Sequence, residues 1–315
     1  MFTEKISLDE HKYDLLMLVT LLIICSFSLI FYPNNFIVAF ANSAEFNVIA
    51  VGDWDCNSNS ESTVMSILNY KPELILSLGD NSYQSTGDCW LDQIQPFRSV
   101  MKIILGNKDK PEPLSNQYMD EFDLQSQYYS FDYENIHFLA LTTAIPYDSE
   151  SEQYKFAEND LKNAKSNPKI KWIISFLHNP LYTSPNSYVK MKSKLIEVLH
   201  PLFENNKVDL TIQAHTHNYQ RTFPLMFNAD DPLNPIITEN NTTSYNAPDG
   251  IIFLIVGTGG AKLHKLTESN NFTNFQQDER FGFLNLNFLE GGKTLFGEFI
   301  DNNNKKIDSF TIIKP

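Results

Sequence analysis

The stretch "FNVIAVGD", residues 46–53, is an apolar run that ends in an aspartate, and this arrangement returns further along the chain. A helical pattern near residues 61–69 follows it, and then "ELILSLGD" ends at Asp80 and "MKIILGN" ends at Asn107. Apolar runs without polar alternation suit strands that are buried on both faces, with helices as the crossovers between them. The pattern therefore predicts a chain of the α/β class.

The rest of the chain continues this alternation and then turns to strands. "QYYSFDY" and "IHFLALTT" form a predicted hairpin around Glu134–Asn135, and predicted helices at about 151–167 and 189–205 lead to "KWIISFLH" and "VDLTIQAHTH". Further apolar runs near the C-terminus predict strands at "IIFLIVGTGG", "FGFLNLNF", "TLFGEFID" and "KIDSFTII". Residues 228–249 are rich in Asn, Pro, Thr and Asp, which predicts a long surface loop.

The composition is that of a packed protein with an acidic surface. A chain of 315 residues with 42% hydrophobic residues and 24 Phe can bury a substantial core, which excludes a disordered chain. The formal net charge of -14 works against a broad surface for polyanions. We therefore expect no nucleic-acid-binding surface, although local basic groups can still bind one phosphate.

The N-terminal residues form a separate segment. Residues 15–44 carry no charge, and "LLMLVTLLIICSFSLIF" alone is nearly long enough to cross a bilayer. "AFA" at residues 39–41 offers a cleavage site, so a cleaved signal peptide and an uncleaved membrane anchor are both open. We predict residues 1–44 as this segment and residues 45–315 as one extracytoplasmic domain, secreted or anchored to the membrane.

Cysteine usage agrees with export. Cys25 lies in the apolar segment, which leaves Cys56 and Cys89 as an even pair in the folded part. Disulfides persist outside the reducing cytosol, so we predict that these two cysteines form a disulfide between the segments after the first two strands. A further hint of export is the N-x-S/T triplets that begin at Asn240, Asn241 and Asn271.

Polar side chains follow five of the predicted buried strands at the point where each strand ends. They are Asp53, Asp80, Asn107, His178 and the pair His215 and His217. In open α/β sheets, functional groups gather just beyond the carboxyl ends of the strands, and residues two apart on an extended segment share a face. Mixed oxygen and imidazole ligands suit divalent transition metals and ferric iron. Such a set is too large for one tetrahedral zinc ion and suits two metals that share a bridging carboxylate.

The ordered set of motifs resembles the calcineurin-like metallophosphoesterases. Its parts are "GD" at residues 52–53, "GDNSY" at 79–83, "GN" at 106–107, a lone histidine at 178 and "HTH" at 215–217. Tyr83 after Asp80, "HNPLY" around His178 and "HTHNYQRTFP" are similar to the purple acid phosphatase branch, without the extra N-terminal β-domain of its large plant-type members. The resemblance implies a four-layer α/β/β/α sandwich of two mixed β-sheets flanked by helices.

The resemblance also implies two metal ions and the residues that bind them. The ligands of iron(III), which include a tyrosinate that gives a purple colour, would be Asp53, Asp80, Tyr83 and His217. The ligands of the second ion, divalent iron, zinc or manganese, would be Asp80, Asn107, His178 and His215. Metal coordination lowers the pKa of water from about 15.7 to about 7, which supplies hydroxide for in-line attack on a phosphate ester.

Three positions depart from the family's pattern. Asp55 stands where the family has His or Gly, Ala214 replaces a glycine before the histidine pair, and Lys108 replaces a histidine that usually contacts the phosphate or protonates the leaving group. Lys108 and Asp109 are the predicted catalytic residues of this box, although an ammonium with a pKa of about 10.4 is a poor proton donor at acidic pH. Asp55 is open to three interpretations: an extra ligand, an acceptor behind the ligands, or a solvated loop acid.

The remaining polar candidates give weaker signals. Tyr219 and Arg221 are predicted to fix the histidine loop from behind the ligands, with substrate contact as the alternative. The histidines without a partner pattern are interpreted as surface or packing residues, and they are His137, His200 and His264.

Together these patterns predict a phosphoric ester hydrolase, in the first place an acid phosphatase-like phosphomonoesterase that acts on a phosphate ester. One alternative is an enzyme for phosphodiesters or nucleotides on the same scaffold. The other is a metal-binding surface protein with weakened catalysis, which Lys108 suggests and the complete set of predicted ligands argues against.

Overall fold

The computed structural model describes residues 46–186 and 188–315, and two β-sheets of seven strands each lie at its centre. The strands up to the histidine pair are β1 (Phe46–Val51), β2 (Leu74–Ser77), β3 (Met101–Ile103), β4 (Tyr129–Tyr133), β5 (Ile136–Ala140), β6 (Trp172–Phe176) and β7 (Leu210–Gln213). The helices are α1 (Ser58–Leu68), α2 (Asp88–Gln93), α3 (Leu114–Glu121), α4 (Glu152–Ser166) and α5 (Ser193–Asn205), with short 3₁₀ turns at Gln95–Val100 and Glu290–Gly292.

The remaining strands follow the histidine pair. They are β8 (Tyr219–Thr222), β9 (Leu225–Met226), β10 (Ile236–Ile237), β11 (Ser244–Asn246), β12 (Ile252–Val256), β13 (Thr273–Gln277), β14 (Gly282–Leu289), β15 (Thr294–Asp301) and β16 (Lys306–Ile313). The first sheet has the order β11-β16-β15-β14-β1-β2-β3, and the second has the order β13-β8-β12-β7-β6-β5-β4. Strands β9 and β10 form a separate pair.

Both sheets are mixed, and helices cover their outer faces. Strands β1 to β3 are parallel to one another, and so are β5 to β7, whereas β14 to β16 run antiparallel. Trp172 of the second sheet packs edge-on against Phe288 of the first, with ring centroids 6.0 Å apart, in the core between the sheets. Helices α4 and α5 bury Leu161 and Leu199 against the other face of the second sheet, and α1 lies against β14. The predicted four-layer sandwich is confirmed.

Two boundaries differ from the sequence prediction for a local reason. Helix α1 begins at Ser58 rather than near residue 61, because the side chain of Asn57 accepts the amides of Asn59 and Ser60 and so caps the helix. Helix α5 begins at Ser193 rather than 189, because the Asn186 side chain accepts two amides just before it and holds that segment in a turn.

The prediction of one long loop over residues 228–249 is wrong in part. Two short strands lie in it, and β11 adds to the edge of the first sheet, parallel to β16, because Tyr245 is buried there. The polar strands β8 and β13 and the short helices α2 and α3 were also absent from the prediction.

None of the helices in residues 46–186 and 188–315 is long and apolar enough to cross a membrane. The predicted signal or anchor, residues 1–44, lies outside the described residues, and so does the predicted domain boundary at residue 45. Both stay predictions.

Candidate metal centre

The polar residues that follow the parallel strands meet at one end of the two sheets. Asp53 follows β1, Asp80 follows β2, and Asn107 follows β3, all in the first sheet. His178 follows β6 of the second sheet, and the histidine pair follows β7 of that sheet. The structure brings all seven predicted ligands together, because the carboxyl ends of neighbouring parallel strands share an edge.

The backbone of this site is unusual. Residues with positive φ include Asp53 (56°), Asp80 (53°), Tyr83 (57°) and His215 (67°). Non-glycine residues adopt this left-handed region at a cost of about 1 kcal/mol or more, and they persist there when the surrounding structure fixes them. Backbone hydrogen bonds do so here, since the amide of Asp53 donates to the carbonyl of Gly79 at 3.0 Å. The strained turns therefore aim the side chains into the site.

One half of the site joins Asp53, Tyr83 and His217. The Tyr83 hydroxyl donates to Asp53 Oδ1 at 3.0 Å and lies 2.8 Å from His217 Nε2. His217 Nε2 lies 3.4 Å from the same Asp53 oxygen, and its other ring nitrogen, Nδ1, bonds to the carbonyl of Lys262 at 2.8 Å. That carbonyl fixes the ring so that Nε2 points into the site.

The other half joins Asp80, Asn107, His178 and His215. His178 Nε2 lies 3.4 Å from Asp80 Oδ1, 3.2 Å from Asn107 Oδ1 and 3.2 Å from His215 Nδ1. The Nδ1 atom of His178 bonds to the carbonyl of Leu78 at 2.8 Å, which orients this ring as Lys262 orients the ring of His217. Donor atoms of Asp80, His178 and His215 all lie within 4.8 Å of one another, a spacing that can hold a metal ion.

A buried carboxylate oxygen of Asp53 also indicates that a cation fits among these donor atoms. Asp53 is fully buried, and its Oδ2 atom has no hydrogen-bond partner among the described residues. A buried carboxylate oxygen that accepts no hydrogen bond is costly unless a positive charge lies beside it. A Cβ atom at Gly257 would lie 2.5 Å from this oxygen, so only glycine leaves the space beside it open.

The carboxylates of the site favour positive charge beside them. Burial alone would raise the pKa of Asp53, but His217, His178 and His215 hold that pKa well below its usual range. Burial lowers the pKa of His178, yet the carboxylate of Asp80 outweighs it and raises the pKa to about 9. Burial and the charge on His178 lower the pKa of His215 to about 4. Positive charge therefore concentrates on the His178 ring, beside the carboxylate of Asp80.

Tyr83 is a neutral phenol in this arrangement. Burial, with the carboxylates of Asp53 and Asp80 beside it, raises the pKa of Tyr83 far above its usual range. The hydroxyl therefore keeps its proton and donates a hydrogen bond to Asp53. Binding as a tyrosinate requires a highly charged ion that overcomes both effects.

Asp109 is placed behind the site. Its carboxylate is fully buried and accepts the amides of Asp80 at 2.7 Å, Asn81 at 2.9 Å and Gly106 at 2.8 Å, as well as the Asn81 side-chain amide at 3.0 Å. Burial and the charge of Asp80 raise the pKa of Asp109 to about 7. These contacts favour a positioning role for Asp109, and its predicted catalytic role stays a prediction.

Lys108 lies at the rim, with an exposed side chain. Its backbone amide donates to Asp80 Oδ1 at 2.7 Å, so its position is tied to the predicted bridging ligand. The carboxylate of Asp109 is buried whereas the Lys108 side chain is exposed, so the Lys108 ammonium faces solvent.

Tyr219 and Arg221 lie deep between the sheets. Arg221 forms a bidentate ion pair with Asp308 of β16, at 2.7 and 2.8 Å, and the Tyr219 hydroxyl donates to Asp308 at 2.9 Å. Both side chains are buried, so they tie the second sheet to the first rather than face substrate. Tyr219 and Arg221 thus act on the predicted ligands only indirectly, because they fix β8, the strand that follows the histidine pair.

Asp55 is half-buried beside the site. Its Oδ1 accepts the amide of Cys56 at 2.7 Å, and its Oδ2 accepts the Asn57 side chain at 2.9 Å. Among the three interpretations of Asp55, these contacts fit an acceptor that organises the loop after β1. In the same loop, the predicted disulfide is confirmed, since Cys56 is bonded to Cys89 of α2 with Cα atoms 6.0 Å apart.

Sequence reasoning missed one histidine of the site. His264 was interpreted as a surface or packing residue, yet its ring stacks on that of His217 with centroids 3.9 Å apart. Its Nδ1 atom accepts the backbone amide of His217 at 3.2 Å. Burial and the charge of His217 lower the pKa of His264 to about 4. The sequence places His264 shortly after the "VGTGG" turn, but His264 is not spaced from another candidate ligand in a way that indicates a metal site.

The chain is similar to a family of known proteins. A family model described as calcineurin-like phosphoesterase matches residues 46–219. The chain is 26% identical to "Probable inactive purple acid phosphatase 1" of Arabidopsis thaliana over 78% of this chain and 44% of that protein. It is 24% identical to a nucleotide pyrophosphatase/phosphodiesterase of Hordeum vulgare over 76% of this chain and 72% of that protein.

Solved structures show the same fold. A purple acid phosphatase from yellow lupin (Lupinus luteus) seeds matches with a TM-score of 0.71 and 22% identity, over 85% of this chain and 54% of that chain. The chain spans less than half the length of the Arabidopsis relative. The predicted resemblance to the purple acid phosphatase branch is confirmed. Since the family model also covers more than half of the sequence, the chain belongs to the calcineurin-like phosphoesterase family.

Proposed function

We propose that the chain is a phosphomonoesterase that binds two metal ions with the seven ligands of the site. The observation that carries this proposal is the buried Oδ2 atom of Asp53, which has no partner among the described residues and faces the space that Gly257 leaves open. The opposed carboxylates and imidazoles around it form a site for positive charge. A phosphate ester is an anion and needs such charge to bind.

The first ion, iron(III) in this proposal, would be held by Asp53, Asp80, Tyr83 and His217, and the second, divalent ion by Asp80, Asn107, His178 and His215. When bound, the two ions would neutralise the phosphate and supply a hydroxide nucleophile. Tyr83 would have to release its hydroxyl proton to solvent, ending its hydrogen bond to Asp53, before its oxygen could bind an ion. The carbonyls of Leu78 and Lys262 hold two of the imidazoles in the orientation that binding needs.

Lys108 would bind the phosphate rather than protonate the leaving group. Its side chain is exposed at the rim, next to Asn107. A fixed positive charge stabilises the negative charge that develops on the phosphoryl oxygens. Esters whose leaving group needs no proton, such as aryl phosphates, are therefore the expected good substrates.

Two observations support other functions of the same site. The Hordeum vulgare relative is named a nucleotide pyrophosphatase/phosphodiesterase, which supports a nucleotide or diester substrate. The Arabidopsis relative is named probable inactive, and Lys108 in place of a histidine supports weakened catalysis.

The test is hydrolysis of p-nitrophenyl phosphate, glycerol phosphate and bis(p-nitrophenyl) phosphate by the protein loaded with iron and zinc. We expect monoester turnover that Asp80→Asn abolishes and that Asp230→Asn, a change of an exposed acid, leaves intact. Faster turnover of the diester would favour the phosphodiesterase. Full metal content without turnover of any of the three would favour the inactive, metal-binding protein.

We also propose that the domain is extracytoplasmic, secreted or held at the membrane by residues 1–44. The uncharged N-terminal segment, the Cys56–Cys89 disulfide and the exposed asparagines of the three N-x-S/T triplets support this location. N-terminal sequencing of the native protein distinguishes the cleaved from the anchored form.

A further inference from the structure

Three aromatic rings stack outward from the metal centre. The ring of His217 stacks on His264 with centroids 3.9 Å apart and an interplanar angle of 8°. The other neighbour of His264 is Tyr188, at 4.1 Å and 15°. Tyr188 is 65% exposed although one face of its ring lies against His264, so the opposite face is open to solvent. The stack therefore begins at a predicted ligand and ends in an open aromatic face.

Several contacts hold this stack in place. His264 is fixed at its Nδ1 atom by the backbone amide of His217. The Oδ1 atom of Asn186 accepts the amides of Tyr188 at 2.9 Å and Val189 at 2.7 Å. Asn186 also forms a β-bridge with Leu266, two residues after His264. The segments that carry Tyr188 and His264 are thus joined to each other, and the exposed ring is presented in a fixed position.

We propose that Tyr188, backed by His264, is a stacking platform for a planar aromatic group on the leaving side of the phosphate ester. This inference rests on the proposed function of the site. A phosphate bound beside the metal ion that His217 would hold directs its ester substituent away from the buried ligands, toward the solvent end of the stack. Aromatic faces bind planar rings of any identity by stacking, and a platform held in place loses little entropy on binding.

Two sources of such a ring differ in reach. In an aryl phosphate the ring is attached directly to the ester oxygen, close to the ligands. In a nucleoside monophosphate a sugar separates the base from the phosphate. Because Tyr188 is separated from His217 by one intervening ring, the longer reach of the nucleotide suits it better.

The test compares AMP, p-nitrophenyl phosphate and glycerol phosphate as substrates of the metal-loaded protein and of Tyr188→Ala. Loss of a stacked base typically weakens binding about five-fold or more, so we expect kcat/KM for AMP to fall by about that factor. The value for glycerol phosphate should stay unchanged. Tyr188→Phe, which keeps the ring, should behave as the wild type. Met65→Ala, which removes a side chain of equal exposure (64%), is the matched control.

The measurement with p-nitrophenyl phosphate shows which ring stacks on Tyr188, an aryl ring attached to the ester oxygen or a nucleotide base. A fall in its kcat/KM together with that of AMP means that a directly attached ring reaches the platform, and an unchanged value means that only the base does. A loss of the same size for glycerol phosphate, or no loss for either aromatic ester, overturns the proposal. Equal metal content in all variants shows that His217 is undisturbed.

Binding separates this proposal from the proposed function. Calorimetry is run with an adenosine phosphonate, in which a methylene group replaces the ester oxygen, and with methylphosphonate. If the wild type hydrolyses nothing, the phosphomonoesterase fails, but the platform is still supported when Tyr188→Ala weakens binding of the adenosine compound alone. If the wild type binds the adenosine compound no more tightly than methylphosphonate, the platform is overturned.

Discussion

Replacing Asp109 by Asn tests whether this residue positions the ligands or acts on substrate. The carboxylate accepts four hydrogen bonds, three at Oδ2 and one, from the amide of Asn81, at Oδ1. An asparagine oxygen in place of Oδ2 keeps three of them as weaker, neutral bonds. Its NH₂ group then faces the amide of Asn81, donor against donor, and leaves that amide without an acceptor.

The expected loss of stability follows from these contacts. Hydrogen bonds to a charged group contribute about 1.5 to 3 kcal/mol each and neutral ones about 1, and an unsatisfied buried donor costs about 1 to 3. Relief from burying a charge offsets part of this loss, since burial raises the pKa of Asp109 to about 7. We expect Asp109→Asn to lower the free energy of unfolding by about 2 to 4 kcal/mol, which a protein of ordinary stability survives folded.

The assay is urea unfolding of the metal-free protein, followed by a metal titration of the folded variant. Metal affinity should fall as well, because Asp109 holds the amide of Asp80 itself. Asp120→Asn, a change of an exposed acid on α3, is the control and should shift the unfolding free energy by less than about 0.5 kcal/mol. Unchanged stability and metal affinity with turnover lost would show that Asp109 acts in catalysis and that the positioning account is wrong.

Three further predictions test other parts of the structure. Gly257→Ala places a methyl group 2.5 Å from Asp53 Oδ2 and should abolish binding of one metal ion, measured by metal analysis. Two ions per chain in this variant would show that the space beside Asp53 Oδ2 does not hold a metal ion. Removing both Cys56 and Cys89 opens a loop of 33 residues and should lower the unfolding free energy by about 3 to 4 kcal/mol, so an unchanged urea midpoint would refute it. Burial lowers the pKa of His137, but its hydrogen bonds to Asp160 at 2.8 Å and Asp132 at 2.7 Å raise that pKa above 6.5 overall. The stability that protonated His137 adds is therefore fully present below pH 6.5 and is lost as the pH rises through the raised pKa. The difference in unfolding free energy between wild type and His137→Gln should therefore shrink from pH 6 to 9. A difference that grows with pH would show that the pKa of His137 is lowered and not raised on folding.

Six of the seven predicted ligands could be proposed from the sequence because they lie shortly after the ends of buried strands, whereas Tyr83 was indicated only by the resemblance to the family. The apolar runs that end at Asp53, Asp80 and Asn107 predict both the strands and the edge where they end. Parallel pairing then brings residues far apart in the chain to one place. The disulfide could be predicted because Cys56 and Cys89 are the even pair of the folded part and lie in the segments that follow two neighbouring strands.

Contacts between distant side chains could not be predicted in the same way. His264 lies 47 residues after His217, and nothing in the spacing of either indicates that their rings stack. Strand β8 has the polar sequence "YQRT", whose arginine is buried only because Asp308 of the other sheet neutralises it. The exposed Lys108 and the buried Asp109 are neighbours in sequence, and the turn places them in opposite environments.

The central claim is that seven side chains at the ends of five strands hold two metal ions, one of them bound by a tyrosinate. Metal analysis of the purified protein together with its visible spectrum tests it most directly. We predict two ions per chain and a broad visible band that Tyr83→Phe removes, because only the phenolate gives that band. Fewer than one ion per chain after loading with iron and zinc, or a band that survives Tyr83→Phe, would contradict the account.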